Sequence, residues 1–237
     1  MRLLLTRPEP DAERTAAALR LHGHDVVSAP LTRIEPIADA PLGAGASAIL
    51  ITSANAASAI TAHTEYAKLL GLPVFAVGQR SAQAMRAAGF DDVTSADGDV
   101  GDLARTVARR VEPGARLIYF AGEDRAGDLG GDLRARGFDV RTSVVYRAVI
   151  VTRLPDAATE ALSNGIEGVL HFSRSAAEAY MTAASGADLL ESALQPAHFC
   201  LSNRVAEPLA RAGAKTIHIA PRPTEAALIA LISANPA

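Results

Sequence analysis

Short apolar runs alternate with longer amphipathic stretches along the whole chain. The runs at 3–6, 25–29, 48–52, 74–77, 92–95, 116–120, 140–146, 169–172, 198–201 and 216–219 read as β-strands. Between them lie Ala-, Leu- and Arg-rich segments such as DAERTAAALRLHG (11–23), with apolar residues three and four apart and a closing glycine suited to a left-handed helix cap. Strands alternating with such helices predict right-handed βαβ units and parallel sheets. About ten strands in two similar sets predict two small doubly wound α/β domains of roughly five strands each.

The two sets follow from an internal repeat. Arg2, Leu3, Leu19, Gly23, Val26 and Arg33 fall in register with Arg116, Leu117, Leu133, Gly137, Val140 and Arg147, always 114 positions on. AILITSANAA from Ala48 then aligns with GVLHFSRSAA from Gly168, which sets Ser53 against Ser173. VFAVGQRSAQAMRAAG from Val74 aligns with HFCLSNRVAEPLARAG from His198, matching Gly78 to Ser202, Arg80 to Arg204 and Gly89 to Gly213.

LTRIEPI from Leu31 and VYRAVIV from Val145 occupy one place in the repeat. Both are extended in character and neither leads straight into a helix, so they are candidate linkers. A chain that crosses at both makes one domain discontinuous, with the other inserted in it. A simple cut near Glu112-Pro113-Gly114 is the alternative, and periodicity does not choose between them.

Composition narrows the class. The 237 residues are 49% hydrophobic with a net charge of −3, which excludes a disordered chain. The near balance of charge and the 4% of aromatic residues give neither an electrostatic footprint nor stacking platforms for nucleic acid. One cysteine, Cys200, precludes an internal disulfide framework and suits a reducing compartment. No apolar run reaches the length of a membrane span, and MRLLLTRPEP holds too short an apolar stretch for a signal-peptide core. The expectation is a soluble, cytoplasmic protein.

In a parallel sheet the functional positions lie beyond the carboxyl ends of the strands, where helix N-termini also point. Those positions hold Thr6-Arg7, Thr52-Ser53, Gly78-Gln79-Arg80-Ser81, Gly122, Ser173-Arg174-Ser175, Ser202-Asn203-Arg204 and Thr224. Hydroxyls, backbone donors and guanidinium groups converging on an oxygen-rich ligand bind anions. Taken singly, Ser53, Ser173, Ser202 and Thr224 are also what a helix N-cap requires, and a lone arginine is ordinarily solvated. Recurrence at equivalent ends of both halves favours a site.

Other chemistries lack their motifs. There is no P-loop, no glycine-rich dinucleotide turn after the first strand, and no HExxH, CxxC or EF-hand pattern, so neither metal nor nucleotide cofactor is expected. The acidic stretches DGDVGD (97–102) and GEDRAGD (122–128) read as solvated loops and helix starts. His171 reads as a packing residue within a strand, and Cys200 as an inert buried thiol. Tyr146, a phenol in a candidate linker, is open to either packing or chemistry.

The opening LLLTRP, ILITSANA with Ser53, FAVGQRSAQAMRAAGF, GDV at Gly98, VVYR, LHFSRSAA, LSNRVAEPLARAG and the closing APRPTEAAL together resemble the uroporphyrinogen-III synthase family, over nearly the whole chain. The resemblance implies two flavodoxin-like parallel-sheet domains joined by a two-stranded linker. Domain 1 would be discontinuous, 1–33 plus 152–237; domain 2 would be 37–144; the linkers would be 31–37 and 145–151. It implies cyclisation of linear hydroxymethylbilane to uroporphyrinogen III, with inversion of ring D and loss of water, in the interdomain cleft. It implies no metal or organic cofactor, and a monomer with this small molecule as its partner. The family's linker tyrosine matches Tyr146, its C-terminal Pro-Thr turn matches Pro223-Thr224, and its hydroxyl turns match Thr52-Ser53, Ser81 and Ser173. Two departures stand out: serine at position 81 where threonine is common, and His171 at a site that is often apolar. The expected site is therefore Tyr146 for catalysis, with Arg7, Thr52, Ser53, Gly78, Arg80, Ser81, Ser173, Arg174, Ser202 and Thr224 for binding. The alternative is a non-catalytic two-lobed binder of a small anion, and a nucleotide-dependent glycosyl transferase is a weaker third.

Overall fold

The protein is described by a computed structural model covering residues 1–124 and 127–234. In chain order its elements are β1 (Arg2–Leu5), α1 (Asp11–Leu21), β2 (Asp25–Ser28), β3 (Thr32–Pro36), β4 (Ala48–Ile51), α2 (Ala54–Thr61), a 3-10 turn (Tyr66–Leu69), β5 (Val74–Ala76), α3 (Gln79–Ala87), β6 (Val93–Ser95), α4 (Val100–Arg110) and β7 (Arg116–Gly122). There follow α5 (Leu129–Ala135), β8 (Asp139–Ile150), α6 (Asp156–Ser163), β9 (Gly168–His171), α7 (Arg174–Gly186), α8 (Leu190–Leu194), β10 (Ala197–Cys200), α9 (Asn203–Ala212), β11 (Ile217–Ile219) and α10 (Glu225–Ala234). Each of the ten predicted runs holds a strand. No helix among the described residues is long and apolar enough to cross a membrane.

The chain divides into two compact units, Met1–Arg33 with Val149–Ala237, and Ile34–Ala148. The first contains a sheet of order β11-β10-β9-β1-β2, and the second a sheet of order β3-β8-β7-β4-β5-β6. The internal repeat explains the likeness of the two orders. Its equivalences are β1 with β7, β2 with β8, β9 with β4, β10 with β5 and β11 with β6. Read that way the five-strand orders are identical, although the chain visits them in a different sequence. The repeat-equivalent glycines behave alike as well. Gly23, Gly137, Gly89 and Gly213 have φ of 81°, 88°, 89° and 92°, the left-handed region in which a side chain is strained.

Parallel sheets covered on both faces need apolar residues at every strand position, not at alternate ones. Leu3 and Leu5 enter the core on one face of the first sheet and Leu4 the core on the other; Ile49 and Ile51 divide from Ala48 and Leu50 in the same way in the second. That is why LLL and AILI carry no polar alternation. Truncating one such side chain to alanine costs about 2–5 kcal/mol.

β3 and β8 differ from the sequence expectation. The segment 32–36 is a strand, and the predicted strand 140–146 and candidate linker 145–151 form one continuous strand of 12 residues. The Ile37 N–H donates to the Val145 carbonyl at 2.8 Å and the Val151 N–H to the Leu31 carbonyl at 2.9 Å. Residue numbers fall along one segment as they rise along the other, the antiparallel sense.

Beneath β9 and β10 the first core holds two histidines. His171 and His198 are fully buried, with His171 Nε2 3.2 Å from His198 Nδ1 and the Tyr180 ring edge-on to both. Their outer nitrogens, His171 Nδ1 and His198 Nε2, have no protein partner. Burial, reinforced by His198, holds His171 well below its ordinary value of 6.5; burial alone brings His198 to about 4. His171 is a packing residue enclosed in the core. Cys200, pushed up to about 12 by burial, is an inert thiol.

The pair fixes the sign of the acid response. The folded form binds fewer protons than the unfolded chain between about pH 4 and 6.5, so its contribution is complete above 6.5 and is lost as pH falls. We expect the unfolding free energy to drop on going from pH 7 to 5, by up to about 1.4 kcal/mol per pH unit for each histidine, read as a lower urea midpoint. His198→Leu should shallow that slope. An unchanged slope would assign the acid sensitivity to other groups.

Candidate functional site

Parallel pairing sends all carboxyl ends of a sheet to one edge. In the second unit β4 pairs with both β5 and β7, and β7 pairs with β8, so Thr52, Gly78, Gly122 and Tyr146 all fall on that edge. The order of connections reverses between β7 and β4, the switch point where open α/β sheets bind ligands. A pocket of about 330 Å³ lies there, lined by residues that include Thr52, Ser53, Tyr119, Gly122, Asp124 and Tyr146.

Local structure orients its polar groups. Ser53, extended at φ −143°, caps α2 by accepting from the Asn55 N–H at 3.2 Å. The ladder between β7 and β8 slips at Ala121 and Gly122, so Gly122 lies opposite Tyr146. A Cβ on Gly122 would come within 2.7 Å of the Tyr146 ring, so only glycine leaves the phenol its place. Tyr146 is half-buried. Burial raises its phenol above the ordinary value, the Ser53 hydroxyl partly opposes this, and nearby Tyr119 and Asp124 add to the rise. Thr52 Oγ1 lies 2.8 Å from the buried Tyr119 hydroxyl. Two hydroxyls and two phenols therefore face one pocket. Tyr119 was missed by sequence reasoning because it stands among apolar neighbours in β7. Its repeat equivalent is Leu5, and a tyrosine replacing that leucine is the signal that could have found it.

The other expected residues of the second unit share the edge without lining this pocket. Gly78 caps α3 in extended conformation, Arg80 is exposed in its first turn and Ser81 is buried. Asp97, Asp99 and Asp102 serve local structure. Asp97 accepts from Gln79 and Ser95, and Asp99 and Asp102 form a reciprocal capping box. Asp128 caps α5, while Arg125 and Ala126 of GEDRAGD lie outside the described residues. Among the described residues no group of three or more His, Cys, Asp or Glu could hold a metal ion.

The first unit's carboxyl edge carries the remaining five. Ser173 caps α7 by accepting from the Ala176 N–H at 3.1 Å, and the exposed Thr224 accepts from the Ala227 N–H at 3.3 Å. Ser202 precedes α9 with no side-chain cap bond. Arg174 donates to Glu178 at 2.8 Å and to Glu207 at 2.6 Å. Arg7 donates to Asp11 at 2.7 Å and to Thr15 at 2.8 Å. Both arginines are thus engaged within the unit.

One electrostatic feature is common to both edges. Helices α2, α3, α7 and α9 follow Ser53, Gly78, Ser173 and Ser202, and none has an acidic residue in its first turn. By contrast α1, α4, α5, α6, α8 and α10 all do. The partial positive charge at those four N-termini is left uncompensated by side chains, which suits an anionic ligand.

Fold and pocket define a mixed α/β protein with parallel sheets whose hydroxyl-bearing turns gather at strand carboxyl ends. The model of the family described as Uroporphyrinogen-III synthase HemD matches residues 13–230, and the chain belongs to that family. It is therefore an enzyme of the uroporphyrinogen-III synthase type, in tetrapyrrole biosynthesis. Among solved structures it is similar to uroporphyrinogen-III synthetase from Helicobacter pylori 26695, at 18% identity and TM-score 0.62 over 99% of each chain. It is also similar to uroporphyrinogen III synthase from the extremely thermophilic bacterium Thermus thermophilus, at 18% identity and TM-score 0.46 over 99% of this chain and 97% of that one. A search of curated protein sequences finds no match.

The Gly122 contact can be tested directly. Gly122→Ala should displace the Tyr146 ring and lower turnover by about tenfold or more while the circular dichroism spectrum stays native. Wild-type turnover in a folded variant would mean that the ring position is immaterial.

Proposed function

We propose that the chain closes linear hydroxymethylbilane to uroporphyrinogen III, inverting ring D with loss of water. The terminal hydroxyl departs with a proton as water and leaves an electrophilic azafulvene. The far pyrrole attacks it through its substituted carbon to give a spiro intermediate, and fragmentation and reclosure invert ring D. Nothing but water is lost, so no external oxidant, reductant or cofactor is required. Closure without inversion occurs spontaneously. The protein's task is then to fold the chain so that the substituted carbon is the nearest nucleophile.

The observation that carries this reading is the half-buried Tyr146 phenol, which lines the switch-point pocket together with Ser53. A phenol held above its ordinary value stays protonated at neutral pH and can donate to the leaving hydroxyl. The electron-rich pyrrole supplies the push, so a weak acid suffices. Carboxylate arms of the substrate are matched by the N-termini of α2, α3, α7 and α9 and by the hydroxyls of Thr52, Ser53, Ser81, Ser173, Ser202 and Thr224, with Gly78, Arg80 and Arg174 beside them. The proposal takes the units as two flavodoxin-like domains, 1–33 plus 152–237 and 37–144, with the reaction in the cleft between them and the chain acting as a cytoplasmic monomer.

Freshly made hydroxymethylbilane decides the reaction: the proposal expects isomer III, whereas isomer I alone would leave an anion-binding module. Tyr146→Phe should lower kcat by at least about tenfold with the fold intact. Because burial raises the phenol, its titration should leave neutral and mildly alkaline turnover flat. An alkaline fall near neutrality that Tyr146→Phe abolishes would contradict the role.

A further inference from the structure

We infer that Arg7 is a positioning residue, which sets the Ser173 and Thr224 turns relative to one another through Phe172 and Glu225 and does not itself contact substrate. The inference rests on the proposed reaction for its functional meaning, while its geometry lies wholly within the first unit.

Arg7 follows β1 at the carboxyl edge, yet its side chain is only 11% exposed. Nη2 donates to Asp11 Oδ2 at 2.7 Å, and Nη1 donates to Thr15 Oγ1 at 2.8 Å and lies 3.4 Å from Glu225 Oε1. Its Cζ stands 4.2 Å from the centre of the Phe172 ring, and its Nε is buried without a partner. The donors are thus occupied or enclosed, and one face of the guanidinium is covered.

The groups it touches are telling. Phe172 immediately precedes Ser173, the cap of α7, and Glu225 immediately follows Thr224 at the start of α10. Glu225 also accepts from Thr15 and from Arg14. Burial alone would raise its carboxyl, but those two bonds and the charges of Arg7 and Arg14 hold it below its ordinary value. One guanidinium therefore ties three strand-end turns together: its own after β1, that after β9 and that after β11. In the second unit the repeat equivalent of Arg7 is Ala121, a buried core residue one position before the pocket-lining Gly122. The second sheet has no guanidinium at that place.

Arg7→Gln and Glu225→Gln break this clamp from opposite ends. Each should raise KM and lower the ratio of isomer III to isomer I by about tenfold, with the double variant no worse than the worse single one. Arg7→Lys, which keeps the charge but not the planar fork, should recover part of the loss. If Glu225→Gln keeps the wild-type KM while Arg7→Gln raises it, Arg7 contacts substrate and the inference falls. It falls equally if both variants lower only Tm and leave KM and isomer ratio unchanged. Hydrogen exchange without substrate gives a reading independent of the reaction: the Ala176 and Ala227 amides, which cap on Ser173 and Thr224, should exchange at least about tenfold faster in either variant. The Leu103 amide of α4 should be unchanged. Unaltered exchange at Ala176 and Ala227 overturns the clamp, whereas isomer I from the wild-type enzyme would overturn only the reaction. Should Arg7→Gln fail to fold, Glu225→Gln alone carries both measurements.

Discussion

All-parallel pairing of the helix-covered strands is the constraint on which the remaining structure depends. It places helices on both faces of each sheet, which demands unbroken apolar runs and leaves only strand ends for polar chemistry. It also delivers every carboxyl end to one edge. Residues as far apart in the chain as Thr52, Gly122 and Tyr146 meet there because β4, β7 and β8 run the same way. Hydroxyls and small residues at such ends serve helix capping and ligand binding with the same geometry, since both present an oxygen or an open amide at a helix N-terminus.

The two sheets share a plan and differ where it matters chemically. Between β1 and β9 the gap is closed by a guanidinium, an aromatic face and two carboxylates. A largely buried charge of this kind is tolerable only while all its partners remain, and removing one costs about 3–5 kcal/mol in comparable buried pairs. Between β7 and β4 the corresponding space is left open and lined by neutral phenols and hydroxyls. The neutral groups need no charge compensation, so that end can remain hollow. The two ends share a frame, and the differences Arg7/Ala121 and Leu5/Tyr119 set a cluster of charged partners at one against neutral phenols and hydroxyls at the other.

Much of this was legible in the sequence because the relevant signals are local or repeated. Buried strands announce themselves as LLL or AILI, and left-handed caps as glycine at the end of an amphipathic stretch. The repeat doubled every such signal. What was not legible depends on partners brought together by pairing. The segment 32–36 reads as a linker, and only its bonding to β8 makes it a strand. His171 and His198 are 27 residues apart, and only the register of β9 on β10 makes them neighbours. The partners of Arg7 are equally hidden, since a sequence displays its charge and not Glu225 at the far end of the chain. Tyr146 reads as a linker residue, whereas it lies inside β8, and the slip opposite Gly122 that orients it is a property of the ladder alone.

A net charge of −3 sits oddly with the many carboxylates of the proposed substrate, and the arrangement of charges bears on this. Arg7 and Arg174, both in the first unit, each carry two carboxylate partners, so their charge is already balanced there. An incoming carboxylate would have to displace one of those partners to use the same guanidinium. The helix N-termini after Ser53, Gly78, Ser173 and Ser202 present no such competition, having no acidic side chain in their first turns. At the fifth turn, Thr224 stands beside Glu225, whose charge would repel an anion were it not bound by Arg7, Arg14 and Thr15. In the proposed reaction, recognition of the anionic substrate falls chiefly to oriented amides and hydroxyls at those helix starts, and it is independent of the sign of the whole-chain charge.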